Sequence, residues 1–284
     1  MSQRRRSIWA GAIVGALLAL LFTAGMQAQA AEQLRDEFHK TYPLAANGRI
    51  SLSNINGNVA ITGWDRNEVK IDAVKTATTK ERLDEAKIIV DAEANSITIK
   101  TEYPHHNGWG RNDNPANVEY TVSVPRGARL DSVKLVNGDL TIDAVSGDVH
   151  ADSVNGTVLA KGLTGRTELS TVNGKVDVNF TRLETDARLS SVNGSLSVTI
   201  PSDAKAEVTA DTMSGRISND FGLDIQDHMV GHNLRGSLGT GGPQLALKNV
   251  NGNISIRHAA DGKPMSKATS KLSPSRKHGH QETL

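Results

Sequence analysis

Four aspartates crowd one short stretch of the chain: Asp139, Asp143, Asp148 and Asp152. Carboxylates so close together raise the question of calcium, because β-rolls hold it with nonapeptides whose Asp recurs in every turn. The residues equivalent to Asp139 in the following segments are Thr157, Lys175 and Ser195. The acidic ladder therefore lasts one turn, and a calcium roll is not expected. Asp143 and Asp177 occupy similar outward positions two segments apart, with Lys161 between them in the stacking order. Paired carboxylates are what glycoside hydrolysis needs, but the interposed lysine makes this a mixed-charge, solvated face. Two histidine pairs could bind a metal through imidazole nitrogen. His105 and His106 lie near Trp109, and His228 and His232 stand four residues apart in DHMVGH. The second pair lacks the glutamate of a metalloprotease helix, and Gly231 opposes a helix there. No catalytic residue, metal or cofactor is expected. These five residues are retained as candidate recognition loops, since loops on a rigid scaffold commonly carry binding.

The most regular polar feature is a column of asparagines, each followed by glycine: Asn137-Gly138, Asn155-Gly156, Asn173-Gly174, Asn193-Gly194 and Asn251-Gly252. A row of amides could line a glycan site. The backbone offers a simpler role, because Asn and Gly tolerate left-handed turns and stacked amides can hydrogen-bond along a ladder.

The elements that would position these residues follow from the repeat. Segments starting at Val-Asn-Gly run 136–153, 154–171, 172–191 and 192–212, that is 18, 18, 20 and 21 residues. The gap from Met213 to the last Val-Asn-Gly at 250 is 37 residues, close to two such units. Each unit holds two short alternating runs and two turns, as in Leu140-Thr141-Ile142 and Val149-His150-Ala151 about Ser146-Gly147. Apolar columns coincide on superposition: Leu140, Val158, Val176 and Leu196, then Ile142, Ala160, Val178 and Val198. Val136, Val154, Val172 and Val192 form another column, read as a further rung of the core. The pattern predicts an all-β fold, a parallel β-solenoid (β-helix) of about 18–21 residues per coil. Six coils at about 4.8 Å would span roughly 30 Å. An antiparallel meander competes, since Asn-Gly is a strong hairpin signal, but two distinct turns per unit favour coils with two corners.

Around the repeats, residues 31–125 read as a β-rich N-terminal capping region with a loop insertion at 104–115. The solenoid is expected over 126–258 with an insertion at 221–242, and 259–284 as a disordered basic tail. Within the capping region TKERLDEAKIIV suits either a short helix or a strand.

Charge and composition narrow the function. The 284 residues carry 32 Lys and Arg against 31 Asp and Glu, so no basic patch invites nucleic acid. Aromatics are 4%, which leaves few platforms for stacking sugars or bases. Residues 1–30 read as a signal peptide: Arg4 to Arg6, an uncharged apolar run from Ile8 to Ala24, and cleavage after Ala30 in Ala28-Gln29-Ala30. An uncleaved anchor is the alternative, and membrane contact is expected only through that segment. The chain has no cysteine, so an exported form would rest on its core and ladders without disulfides.

The stretches NINGNVAITGWDRNEVKIDAVKT (54–76), VEYTVSVPRGARLDSVKLVNGDLTI (118–142), the Val-Asn-Gly series and VNGNISIRH (250–258) resemble the bacterial putative-adhesin family, exported β-strand-repeat proteins forming a domain of unknown function. The family's strand-Pro-Lys/Arg-Gly step matches Val124-Pro125-Arg126-Gly127. The resemblance covers about 34–258 and implies a repetitive β fold outside the cytoplasm with no catalytic residues to carry over. The expectation is an exported, non-enzymatic envelope or cell-surface interaction module, periplasmic first and secreted or surface-bound second. Its partner would be an envelope protein or polysaccharide. A polysaccharide-processing β-helix enzyme and a membrane-anchored envelope-stress regulatory protein are the alternatives.

Overall fold

A computed structural model of the chain describes residues 33–104 and 115–270. In chain order the first elements are β1 (Leu34–Pro43), β2 (Arg49–Asn56), β3 (Val59–Trp64), β4 (Glu68–Ala77), helix α1 (Lys80–Glu85), β5 (Lys87–Glu93), β6 (Ser96–Glu102) and β7 (Asn117–Pro125). The regular repeats give β8 (Arg129–Asn137), β9 (Leu140–Asp143), β10 (Val149–Asn155), β11 (Val158–Leu163), β12 (Thr167–Asn173), β13 (Val176–Phe180), β14 (Ala187–Asn193) and β15 (Leu196–Ile200). Then follow β16 (Ala206–Ser214), β17 (Ile217–Asn219), β18 (Ile225–Asp227), β19 (His232–Leu238), β20 (Gln244–Asn251), β21 (Ile254–His258) and β22 (Ala268–Ser270).

These strands make two facing sheets. One is ordered β1-β4-β7-β3-β9-β11-β13-β15-β21-β17 and the other β18-β19-β16-β20-β14-β12-β10-β8-β2-β6-β5, with β22 beside β19. The interior pairings are parallel, as the two-corner pattern requires: Leu140 faces Val158, Val158 faces Val176, and Val176 faces Leu196. Each of these side chains is at most 1% exposed. Burying one such valine stabilises the fold by about 2 kcal/mol. The Ile142, Ala160, Val178, Val198 column continues to Ile256 in the same way. The facing sheet contributes Ala151, Leu169, Leu189 and Leu247 to the same core.

The stack does not follow chain order at either end. β20–β21 lie between β14–β15 and β16–β17, so Asn251 neighbours both Asn193 and Ser214. The 37-residue interval is therefore a detour back to an adjacent rung, not two stacked units. The ladder also begins before residue 126. β2–β3 pair in parallel with β8–β9, and β6–β7 lie outside them.

Antiparallel strands close both ends. β4 and β1 follow β7, and β5 follows β6. The edge strand β1 carries Arg35, Asp36, Glu37, His39 and Lys40, charges that discourage pairing with another chain. TKERLDEAKIIV resolves into both of its readings: α1, whose first turn is capped by Thr79 Oγ1 accepting from Arg82 N at 3.3 Å, and then β5. At the far end the expected insertion 221–242 supplies β18 and β19, the latter antiparallel to β16. The segment expected to be structureless from 259 is laid against the stack as far as Ser270. β22 pairs with β19, Lys263 Nζ meets Asp203 at 2.8 Å, and Ser266 N donates to Ser202 O at 2.8 Å. Residues 1–32, 105–114 and 271–284, which include the predicted leader and the rest of the tail, lie outside the described residues.

Candidate functional site

The Asn-Gly turn forms the corner between the two sheets. Asn137 donates through Nδ2 to Asn56 Oδ1 at 2.9 Å, Asn155 to Asn137, Asn173 to Asn155, Asn193 to Asn173 and Asn251 to Asn193, all at 2.9–3.0 Å. Five hydrogen bonds thus link six amides into one ladder. Gly156 shows why glycine follows: its φ is +150°, and a Cβ there would sit 2.1 Å from Gly138 O. Asp139 and Asp148, candidate calcium ligands by sequence, accept from the backbone N–H groups of Thr157 and Arg166 at 2.7 and 3.1 Å. They stitch corners.

The residue before each corner asparagine corrects the sequence reading. Val136, Val154, Val172, Val192 and Val250 are not core rungs. Each is 37–40% exposed. The cause is the corner itself. At four corners the buried residue before the outward side chain is polar and answers a glycine carbonyl, whereas before Val136 the inward residue is the apolar Leu135. Thr212 Oγ1 donates to Gly252 O at 3.0 Å, Asn249 Nδ2 to Gly194 O at 2.8 Å, and Thr171 and Ser191 reach Gly156 O and Gly174 O at 3.4 Å. Strand alternation then turns the next residue outward. With Ile55 and Met213 at the two ends, seven apolar side chains form one stripe along the outer face of the second sheet. Six steps of about 4.8 Å make it roughly 29 Å long. The next column on that face is Ser53, Lys134, Asp152, Ser170, Ser190, Lys248 and Asp211. Beyond it lie His150, Glu168, Arg188, Ala246 and Thr209. The signal was present in the sequence: in KLVNG, Leu135 and Val136 are adjacent, and only one can point inward.

The β18–β19 hairpin walls one end of the stripe. Asp227 pairs with His232 across it, their side chains 2.6 Å apart, and His228 N donates to Gly231 O at 3.1 Å. Gly231, at φ +84°, lets the turn lie on β16, since a Cβ would meet Thr212 O at 2.3 Å. An open groove of about 620 Å³ results, with Val172, Val192, Val250 and Met213 as its floor and His228, Val230 and His232 at its wall. The structure thus brings His228 and His232 to the apolar stripe. His105, His106 and Trp109 fall outside the described residues.

Other sequence candidates separate. Asp143 stands in register with Lys161, whereas Asp177 is in register with Leu159. The two carboxylates occupy different columns, and Lys175 Nζ lies 2.5 Å from Asp177. Ser202 Oγ lies 3.2 Å from His258 Nδ1, a spacing that resembles a nucleophile and its base. Yet Ser202 is 1% exposed and donates to Ala259 O at 2.7 Å, the same carbonyl that lies 2.9 Å from His258 Nδ1. The pair latches the chain leaving β21. No group of three His, Asp or Glu suited to a metal ion occurs among the described residues. Two tyrosines are partly or fully buried, Tyr103 just after β6 and Tyr120 on β7. Tyr120 shares a 2.7 Å hydrogen bond with Thr101, and Tyr103 donates to Ala116 O at 2.8 Å. Burial pushes both phenols up to about 12.

Residues 147–257 match the Toastrack DUF4097 family model, so the resemblance to the putative-adhesin family is shown over that segment. No curated protein sequence matches the chain. Among solved structures, a putative cell adhesion protein from Clostridium sporogenes is similar over 80% of this chain and 100% of its own, with 12% identity and a TM-score of 0.48. A putative adhesin from Bacteroides fragilis is similar over 79% and 97%, with 12% identity and a TM-score of 0.38. One from Parabacteroides merdae is similar over 79% and 96%, with 11% identity and a TM-score of 0.33.

Proposed function

We propose that the chain is an exported, non-enzymatic interaction module of the cell envelope, in which a stack of 18–21-residue coils displays an extended face for a protein partner. The observation that carries this reading is the seven-residue apolar stripe with the hairpin groove at its end. Monomeric proteins seldom leave a contiguous apolar strip of this length open to water without a use for it. No Phe, Tyr or Trp stands in its three outward columns, which favours a protein surface over a sugar ring that needs stacking. The leader-like residues 1–30 support export, with the periplasm as the first destination and the cell surface as the second. His105, His106 and Trp109 would form a further recognition loop on the same module.

The test places a photo-crosslinking amino acid at Val192, on the stripe, and as a control at Thr141, outward on the other sheet. Crosslinked species specific to Val192 in the envelope fraction are expected. Identical products from both positions, or none from either, would refute the reading. N-terminal sequencing of the mature protein checks cleavage after Ala30.

A further inference from the structure

The striped face has a self-complementary charge pattern. Numbering the rungs along the stack from β2 to β16, the second column reads Ser53, Lys134, Asp152, Ser170, Ser190, Lys248, Asp211. The third column has His150, Glu168 and Arg188 on rungs three, four and five. Place a second copy face to face, related by a two-fold axis parallel to the strands and passing between β12 and β14. Rung two then faces rung seven, three faces six, and four faces five. Lys134 meets Asp211, Asp152 meets Lys248, and Glu168 meets Arg188. Each pair occurs twice by symmetry. On the stripe, Val136 meets Met213, Val154 meets Val250, and Val172 meets Val192.

The register is discriminating. Moving the axis half a rung one way sets Glu168 on Glu168 and Lys134 on Lys248. Moving it half a rung the other way sets Arg188 on Arg188 and Asp152 on Asp211. Like charges so juxtaposed reject those arrangements. Within one chain Lys134, Arg188, Lys248 and Asp211 make no ion pair among the described residues, while Asp152 and Glu168 lie 3.4 and 3.6 Å from His150 and Asp152 also accepts from Ser170. The face measures about 29 Å by about 20 Å, which gives about 1,200 Å² for the two copies together, the lower limit for a specific interface.

We infer that the stripe docks a second copy of this chain, forming an antiparallel two-fold dimer centred between Val172 and Val192. This rests on the reading of the face as an interaction surface and names its occupant. The modest area points to a weak dimer whose population depends on concentration.

Sedimentation equilibrium of the purified chain up to about 200 µM tests it. Val172→Glu should abolish dimerisation. Lys134→Asp and Asp211→Lys should each weaken it about tenfold, because each turns two attractive pairs repulsive. The double variant Lys134→Asp/Asp211→Lys should restore it. These two residues lie five rungs, about 24 Å, apart in one chain, so rescue can arise only between chains. Circular dichroism melts establish that each variant is folded, and the two charge variants keep the test independent of the valine. A monomer at every concentration overturns the dimer, as does a dimer that Val172→Glu leaves intact or that the double exchange fails to restore. If the chain is monomeric while Val192 still crosslinks an envelope protein, the self-docking inference falls and the interaction-module reading stands.

Discussion

Replacing Gly156 by alanine isolates what holds the corners together. The new Cβ would lie 2.1 Å from Gly138 O and 2.7 Å from Gly138 C. Ordinary contact begins at 3.4 Å, so the corners must separate by about 1.3 Å at the oxygen. That movement loosens the bond that Gly138 N donates to Asn155 O at 3.0 Å and the Asn155 to Asn137 amide bond at 2.9 Å. The backbone conformation at φ +150° costs about 1–2 kcal/mol for a residue with a side chain, and two displaced hydrogen bonds cost about 1 kcal/mol each. The expected loss is about 4 kcal/mol. Gly222 provides the control. Its φ is +75°, but nothing lies within 4 Å of a Cβ there, so Gly222→Ala should cost only about 1 kcal/mol. Urea unfolding followed by far-UV circular dichroism measures both. If Gly156→Ala costs no more than Gly222→Ala, close stacking of the corners is not what demands glycine, and the reasoning fails.

Val154→Ala should cost under about 0.5 kcal/mol while Val158→Ala costs about 2 kcal/mol, and equal costs in urea melts would return the Val-Asn-Gly valines to the core. Tyr120 favours its neutral phenol in the folded state, with a pKa of about 12 against 10.0. Its stabilising contribution is therefore present below pH 10 and is lost as pH rises from 10 through 12. Tyr103 is raised to about 12 as well, so the fall in urea midpoint between about pH 8 and about pH 11.5 has two contributors, and Tyr120→Phe should remove about 2 kcal/mol of it. His39 Nδ1 lies 2.7 Å from Asp72, and the carboxylates of Asp72 and then Glu37 raise its pKa above 6.5. The His39–Asp72 tie between β1 and β4 should thus be complete below pH 6.5 and fade as pH rises past the folded pKa. Imidazole NMR titration would show this, and Asp72→Asn should return the midpoint toward 6.5.

The parallel core was legible because it is periodic. Leu140, Val158, Val176 and Leu196 recur at the spacing of the coil, and each falls where strand alternation points it inward. The asparagines were legible for the same reason, and their amide ladder follows their column. The valine column was just as periodic, yet periodicity does not tell inside from outside. That distinction came from Thr171, Ser191, Thr212 and Asn249, whose polar groups answer a glycine carbonyl that only the folded corner reveals. Stacking order was illegible for a related reason. Val-Asn-Gly at 250 has the same local chemistry as its predecessors, and nothing in its own residues says that it sits beside 193 and 214. The hairpin carrying His228 and His232 was recognisable as an interruption. Its position over Met213 and Val250 depends on β19 pairing with β16, and no local pattern announces that long-range pairing.

The out-of-order rung also has a consequence for how the chain is made. During synthesis β14–β15 and β16–β17 emerge first, with no partner between them, and both wait for β20–β21 to arrive. Until then each presents a row of open backbone donors and acceptors, the kind of surface that recruits stray strands. The last-made strand pair is the keystone of the arch. A chain cut after Pro243 would not simply be shorter by one coil. It would lose the joint that ties β16–β19 to everything before them.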